Sequence, residues 1–120
     1  MKPYAATKQA LADEYRLVVA CFQAIGRMAG RYDREADRFR LEDRDIGRLA
    51  FGHLLALLKE DRVLAGGPRR ENGQPLRVRD LALHQIQLVS GLEEREFSTE
   101  VWRGRYESLL KERMAVEEEE

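Results

Sequence analysis

The chain has 120 residues, which is enough for one domain with a hydrophobic core but leaves little room for a deep active-site cleft. Its 21 basic and 22 acidic side chains leave a formal net charge of −1, so any binding to nucleic acid or to an anionic membrane must come from a local patch. The charged fraction of 36% exceeds the roughly 25% of ordinary domains, so we expect a globular chain with a densely charged surface.

The first predicted element is one long helix over residues 7–39, with Thr7 as its N-cap. Its apolar residues recur alternately four and three positions apart, which keeps one narrow side of the helix facing a partner. This heptad stripe consists of Leu11, Tyr15, Val18, Phe22, Ile25, Ala29, Tyr32, Ala36 and Phe39. Such a helix would be about 50 Å long at 1.5 Å per residue, too long for a domain of this size to cover. We therefore predict that the first seven residues of the stripe contact a protein partner or a second copy of the chain, most simply in a homodimer.

Gly26 and Gly30 lie four positions apart inside this predicted helix. Each costs about 1 kcal/mol relative to alanine in a helix interior, so their presence needs a physical reason. Either another helix approaches closely at these positions, or the helix is kinked there. The sequence leaves both explanations open.

The second predicted helix, over residues 43–61, has acidic residues at its start and apolar residues around most of its circumference. Its apolar residues are Ile46, Leu49, Ala50, Phe51, Leu54, Leu55, Leu57 and Leu58. This distribution is typical of a helix that is buried on several sides. We therefore interpret it as the core helix of the domain.

Residues 62–79 form the only strongly basic stretch, and glycine and proline interrupt it. The stretch predicts an irregular loop or a short hairpin, with arms at residues 63–64 and 76–78. Its arginines could bind the phosphates of a nucleic-acid backbone, as the wing of a winged-helix domain does. They could also pair with the acids of neighbouring helices, and the sequence leaves both interpretations open. The candidate phosphate ligands are Arg69, Arg70, Arg77 and Arg79.

Residues 80–92 partly fit the alternation of apolar and polar residues in a strand. However, Asp80 can cap a short helix, and no glycine or proline interrupts the segment before Gly91. We therefore favour a helix. Ser98 is expected to cap a last helix that runs to about residue 114. An acidic tail follows at residues 117–120. The prediction is therefore an all-α fold of three or four helices in one domain over residues 1–116. It has a long amphipathic N-terminal helix and a short basic loop or hairpin.

Arg48 and His53 lie on the second predicted helix with four residues between them. This spacing in a helical chain resembles the short signature of HEPN ribonucleases. The resemblance implies that an arginine and a histidine from two protomers cleave an RNA backbone, with Arg48 and His53 in those roles. The alternative is a histidine packed in or beside the core, because His53 shares a helix row with Ile46 and Leu57.

Cys21 is the only cysteine, which excludes an intramolecular disulfide and a cysteine-based metal site. Its position beside the heptad stripe predicts a packed, inert thiol. No apolar stretch approaches the roughly 20 residues of a membrane-spanning helix, and the start lacks a signal-peptide pattern. We expect a cytoplasmic protein with no membrane contact, no metal, no cofactor and no small-molecule substrate.

Three functional hypotheses follow from these patterns. The first is a non-enzymatic interaction protein, a small helical subunit or adaptor that associates through its N-terminal helix, within a nucleoprotein or regulatory assembly. The second is a DNA-binding regulator of winged-helix type that uses the basic stretch at residues 62–79. The third is a HEPN-like ribonuclease, which would be the one enzyme among them.

Overall fold

The computed structural model describes residues 3–119, with side chains over residues 8–112. Over those residues four helices are combined with two antiparallel hairpins, so the chain is a mixed α/β protein and the prediction of an all-α fold is wrong. In chain order the elements are α1 Pro3–Ala29, β1 Arg31–Asp33, β2 Arg38–Arg40, α2 Arg44–Leu57, β3 Val63–Arg69, β4 Pro75–Arg77, α3 Val78–Ser90 and α4 Thr99–Glu119.

The first hairpin, β1 with β2, occupies the segment that the sequence predicts as the end of one long helix. α1 ends at Ala29 because Gly30 adopts a φ of 110°, a left-handed conformation through which a helix cannot continue. Tyr32 then pairs with Phe39 across the hairpin. Residues seven apart share a face in a helix, and they also share a face when a turn brings them opposite each other in a hairpin. The prediction of one helix over residues 7–39 is therefore wrong beyond Ala29.

The two ends of the chain also differ from expectation. α1 already begins at Pro3, so Thr7 lies within the helix and does not start it, and its side chain lies outside the described residues. The backbone of α4 is helical as far as Glu119. The predicted acidic tail at residues 117–120 lies outside the residues whose side chains the structure describes.

α2 begins where its acidic cap predicts. Oδ1 of Asp43 accepts hydrogen bonds from the backbone N–H groups of Asp45, at 2.9 Å, and Ile46, at 3.0 Å. The ring of Phe51 stacks on that of Tyr106 in α4, with 4.1 Å between centroids. α2 therefore joins α4 to the rest of the core.

The second hairpin forms within the basic stretch, with Leu64 opposite Leu76. Its first arm is longer than expected, because β3 continues to Arg69 with an irregular register between Leu64 and Arg69. β3 packs on the N-terminal half of α1. Gly66 makes this approach possible, since a Cβ there would lie 2.0 Å from the carbonyl oxygen of Leu11.

The helix predicted over residues 80–92 is present as α3, which begins at Val78 and ends at Ser90. The Asp80 carboxylate accepts a hydrogen bond from the backbone N–H of Arg77 at 2.8 Å, and Gly91 ends the helix with a φ of 76°. In α4, Oγ of Ser98 accepts a hydrogen bond from the Val101 N–H, as expected of a cap. The largest side chains that are almost completely buried come from α2, α3 and α4: Trp102, Leu54, Ile86 and Val89.

Candidate protein interaction site

The heptad stripe of α1 packs inside the monomer. Phe22 and Ala29 belong to the buried core, and α2, α3 and β3 all pack on α1. Leu11, with 37% of its surface exposed, is the most open residue of the predicted interface. The structure thus brings the predicted interface residues together with the core of their own chain, and little of the stripe is left for another molecule. The half-buried members of the stripe are Tyr15, Val18, Ile25 and Tyr32.

A second stripe with the same spacing lies on the exposed side of α1. Each of its residues comes immediately before a residue of the buried stripe in the sequence. It consists of Leu17, Cys21, Ala24 and Met28, all of them exposed. Leu17 exposes 66% of its surface and Met28 exposes 48%. The expectation of a packed thiol is therefore wrong, because Cys21 lies on this exposed side.

α2 packs in the core through Ala50, Phe51, Leu54 and Leu55, but it also has an exposed apolar side. Ile46 exposes 48% of its surface and Leu49 exposes 69%. His53 and Ala56 follow at helical spacing and are exposed as well. His53 is therefore not the core histidine that one interpretation of the sequence predicts.

The two exposed stripes are adjacent. Met28 near the end of α1 and Ile46 near the start of α2 line one cavity of about 610 Å³. α1 and α2 also pack directly on each other. α1 and α2 are therefore antiparallel neighbours, and their stripes run side by side. We call the surface formed by these residues the α1–α2 face: Leu17, Cys21, Ala24, Met28, Ile46, Leu49, His53 and Ala56.

Charged residues lie at both ends of the α1 stripe. Glu14 precedes Leu17 by one turn of the helix and is exposed. Arg31 follows Met28 and lines the same cavity as Met28 and Ile46. Neither Glu14 nor Arg31 forms an ion pair with another of the described residues. Apart from His53, the α1–α2 face consists of apolar side chains, with Glu14 before the α1 stripe and Arg31 just beyond the end of α1. Arg27, Arg40, Glu42 and Asp43 also line the cavity between Met28 and Ile46.

Arg48, on another side of α2, holds that helix to α4. Its Nε and Nη2 donate hydrogen bonds of 3.0 Å each to the two carboxylate oxygens of Glu107. These hydrogen bonds lower the pKa of Glu107 and raise the pKa of Arg48. His53 projects from α2 about 140° away from Arg48 around the helix axis. The pair that resembles the ribonuclease signature is therefore not brought together within one protomer, and the arginine is already engaged by a carboxylate.

The four candidate phosphate ligands do not form one free cluster. Nη1 of Arg77 lies 3.0 Å from Oδ1 of Asp61, and Nη1 of Arg79 lies 3.8 Å from the same oxygen. Arg69 donates a 3.0 Å hydrogen bond to the carbonyl oxygen of Gly73 in its own turn. Arg70 alone lines a cavity, of about 610 Å³, between the hairpin and α3. Two of the four arginines, Arg77 and Arg79, therefore contact an acid of their own chain.

Among the residues that the structure describes, no three histidine, cysteine, aspartate or glutamate side chains are grouped so as to hold a metal ion. None of the described helices is long and apolar enough to cross a membrane. No family model, curated protein or solved structure matches this chain.

The sequence contains a signal for the α1 half of this face, but the heptad stripe of larger residues beside it is more conspicuous. Leu17, Cys21, Ala24 and Met28 repeat with the four-three spacing of a heptad, but the neighbouring stripe contains larger side chains. Periodicity identifies both stripes, and only the packing of α2, α3 and β3 on α1 decides which of them is buried.

Proposed function

We propose that this chain is a non-enzymatic interaction protein, a small subunit or adaptor, which associates with another protein through the α1–α2 face. The observation that carries the proposal is the exposure of four large apolar side chains on two neighbouring helices. Single exposed apolar residues are normal on a protein surface, whereas a contiguous set usually marks an interface. The four side chains are Leu17, Met28, Ile46 and Leu49.

The composition of the face favours a protein surface as its partner. The small residues Cys21 and Ala24 lie between Leu17 and Met28 on α1, and Ala56 lies at the end of the α2 stripe, so they leave room for side chains of another molecule. The centre of the face contains no arginine or lysine that could bind phosphate. Its rigid helical frame also reduces the entropy lost on association.

Site-specific photocrosslinking in the cells that produce the protein tests this proposal. A photoreactive phenylalanine analogue at position 17 or position 49 should yield a crosslinked product of discrete mass. The same analogue in place of Val101, an exposed apolar residue of α4 outside the face, should not yield that product.

A second substitution shows whether the product depends on the whole face. Leu49→Arg should abolish the product formed from position 17, because it places a charge in an apolar interface. Val101→Arg should leave it unchanged. Products that form equally well from all positions, or that survive Leu49→Arg, would overturn the proposal.

A further inference from the structure

We infer that the occupant of the α1–α2 face is a second copy of this chain, related by a two-fold axis. In this dimer, which rests on the proposed function, α1 packs antiparallel to the partner's α1 and α2 packs antiparallel to the partner's α2. A two-fold interface must be complementary to itself. The spacing of the apolar residues and the positions of the charges in one copy must therefore match those of the second copy after rotation.

The α1 stripe meets the requirement in one antiparallel register. When Leu17 lies opposite the partner's Met28, Cys21 lies opposite the partner's Ala24. Large side chains then meet large ones at the two ends of the contact, and small ones meet at its centre, where the backbones can approach most closely.

The α2 stripe fits the same two-fold axis. Within α2, Ile46 lies opposite the partner's Ala56 when Leu49 lies opposite the partner's His53. Because Met28 and Ile46 line one cavity, we place these two residues at the same position along the axes of the two antiparallel helices. The symmetry centre of the α1 contact and that of the α2 contact then coincide to within one residue, so one axis can serve both helices.

The charges at the ends of the α1 stripe complete the self-complementarity. Arg31 lies in β1, just beyond the end of α1, and lines the same cavity as Met28. Contact of Leu17 with the partner's Met28 therefore brings Glu14, one turn before Leu17, towards the partner's Arg31, and the same pair recurs at the other end of the interface. Within the described part of one copy both residues lack an ion-pair partner, so they are free to pair between copies. A parallel arrangement would instead bring Glu14 towards the partner's Glu14.

Light scattering coupled to size-exclusion chromatography of the purified chain gives the first test. The wild-type chain should elute with twice the mass of one chain, and Leu17→Arg should elute with the mass of one. Val101→Arg, the control outside the face, should remain a dimer. Circular dichroism of each variant shows that the change in mass is not a loss of fold.

Exchange of the end charges tests the antiparallel register. Glu14→Arg and Arg31→Glu should each weaken the dimer about tenfold at low salt, because like charges then meet at both ends. An equimolar mixture of the two variants should restore the wild-type affinity, because opposite charges meet at both ends of the mixed dimer. High salt should reduce these differences.

The outcomes separate this inference from the proposed function. A wild-type chain that is monomeric at every concentration measured overturns the self-association, as does a dimer that Leu17→Arg leaves intact or a mixture without restored affinity. The proposed function survives such a result if the photocrosslinks from positions 17 and 49 join the chain to a different protein and are lost with Leu49→Arg. A monomer without face-specific crosslinks overturns both.

Discussion

The hydroxyl of Tyr106 on α4 donates a hydrogen bond of 2.7 Å to the carbonyl oxygen of Ala29, the last residue of α1. Carbonyl groups in the last turn of a helix have no partner within the helix, so this bond satisfies a group that is buried in the core. The Tyr106 ring also stacks on Phe51 and meets Phe39 edge-on at 5.9 Å. One side chain therefore connects α1, the first hairpin, α2 and α4.

Loss of this hydroxyl should destabilise the fold without disturbing the ring stacking. We expect Tyr106→Phe to lower the free energy of unfolding by about 1–2 kcal/mol, because the Ala29 carbonyl is left buried without a donor. Urea denaturation followed by circular dichroism measures the change. Tyr15→Phe is the matched control, since the Tyr15 hydroxyl makes no hydrogen bond with the described residues, and it should change stability by less than about 0.5 kcal/mol. Equal losses in the two variants would contradict this role.

Tyr106 should also make the fold sensitive to alkaline pH. Burial raises the pKa of Tyr106 well above its usual value of 10, and the nearby Glu107 carboxylate raises it further. The folded chain therefore holds the phenolic proton more tightly than the unfolded chain does. Its contribution to stability is complete below about pH 10 and is lost as the pH rises above that value, by at most about 1.4 kcal/mol per pH unit. Urea titrations at several alkaline pH values should show a shallower decline for Tyr106→Phe, and identical slopes would refute this assignment.

The contact between Arg48 and Glu107 should contribute weakly and in the opposite pH range. The pKa of Glu107 is lowered, mainly by its hydrogen bonds from Arg48, so the stabilisation is present above the unfolded-state value near 4.5 and is lost as the pH falls. Because both side chains are more than a third exposed, Glu107→Gln should cost less than about 1 kcal/mol at neutral pH. The cost should shrink in acid. A constant cost at all pH values would argue against the ion pair.

The sequence predicted the helices best where capping chemistry marks their ends. Asp43, Ser98 and Gly91 each act at a helix terminus as their residue types suggest. It failed at the first hairpin, because the spacing of Tyr32 and Phe39 satisfies a helix and a hairpin alike. Gly30 decided the outcome, and its left-handed conformation is set by the packing around it. Such a choice depends on tertiary contacts that no local pattern contains.

Gly26 and Gly30, the two glycines of the first predicted helix, illustrate the same limit. The sequence left close approach and a kink as alternatives for both, and the structure gives each glycine its own reason. Gly26 allows α3 to approach α1, since a Cβ there would lie 2.2 Å from Oε1 of Gln85. Gly30 ends the helix. The identity of the neighbouring element, here Gln85 of α3, is long-range information.

Phe22 distinguishes the structure from the interface that the heptad stripe predicted. If Phe22 served mainly as a contact with a partner, its replacement would weaken association and leave the fold intact. Because only 5% of its surface is exposed, we expect Phe22→Ala to lower the free energy of unfolding by about 3–5 kcal/mol. Val101→Ala, with 38% exposed, should cost less than about 1 kcal/mol in the same denaturation experiment. A stable, folded Phe22→Ala chain that loses only its partner would contradict the packing described for α1.

Gly30 and Gly104 should respond to alanine with opposite signs. At Gly30, a Cβ would lie 2.6 Å from Cζ of Phe39, and the φ of 110° is strained for any residue with a side chain, so Gly30→Ala should destabilise the fold by more than about 1 kcal/mol. At Gly104, inside α4, a Cβ would meet none of the described atoms within 4 Å, so Gly104→Ala should stabilise the fold by about 0.5–1 kcal/mol through helix propensity alone. Thermal and urea denaturation measure both changes. If Gly30→Ala were also stabilising, α1 would be able to continue past Ala29, and the hairpin would not be the preferred structure of residues 31–40.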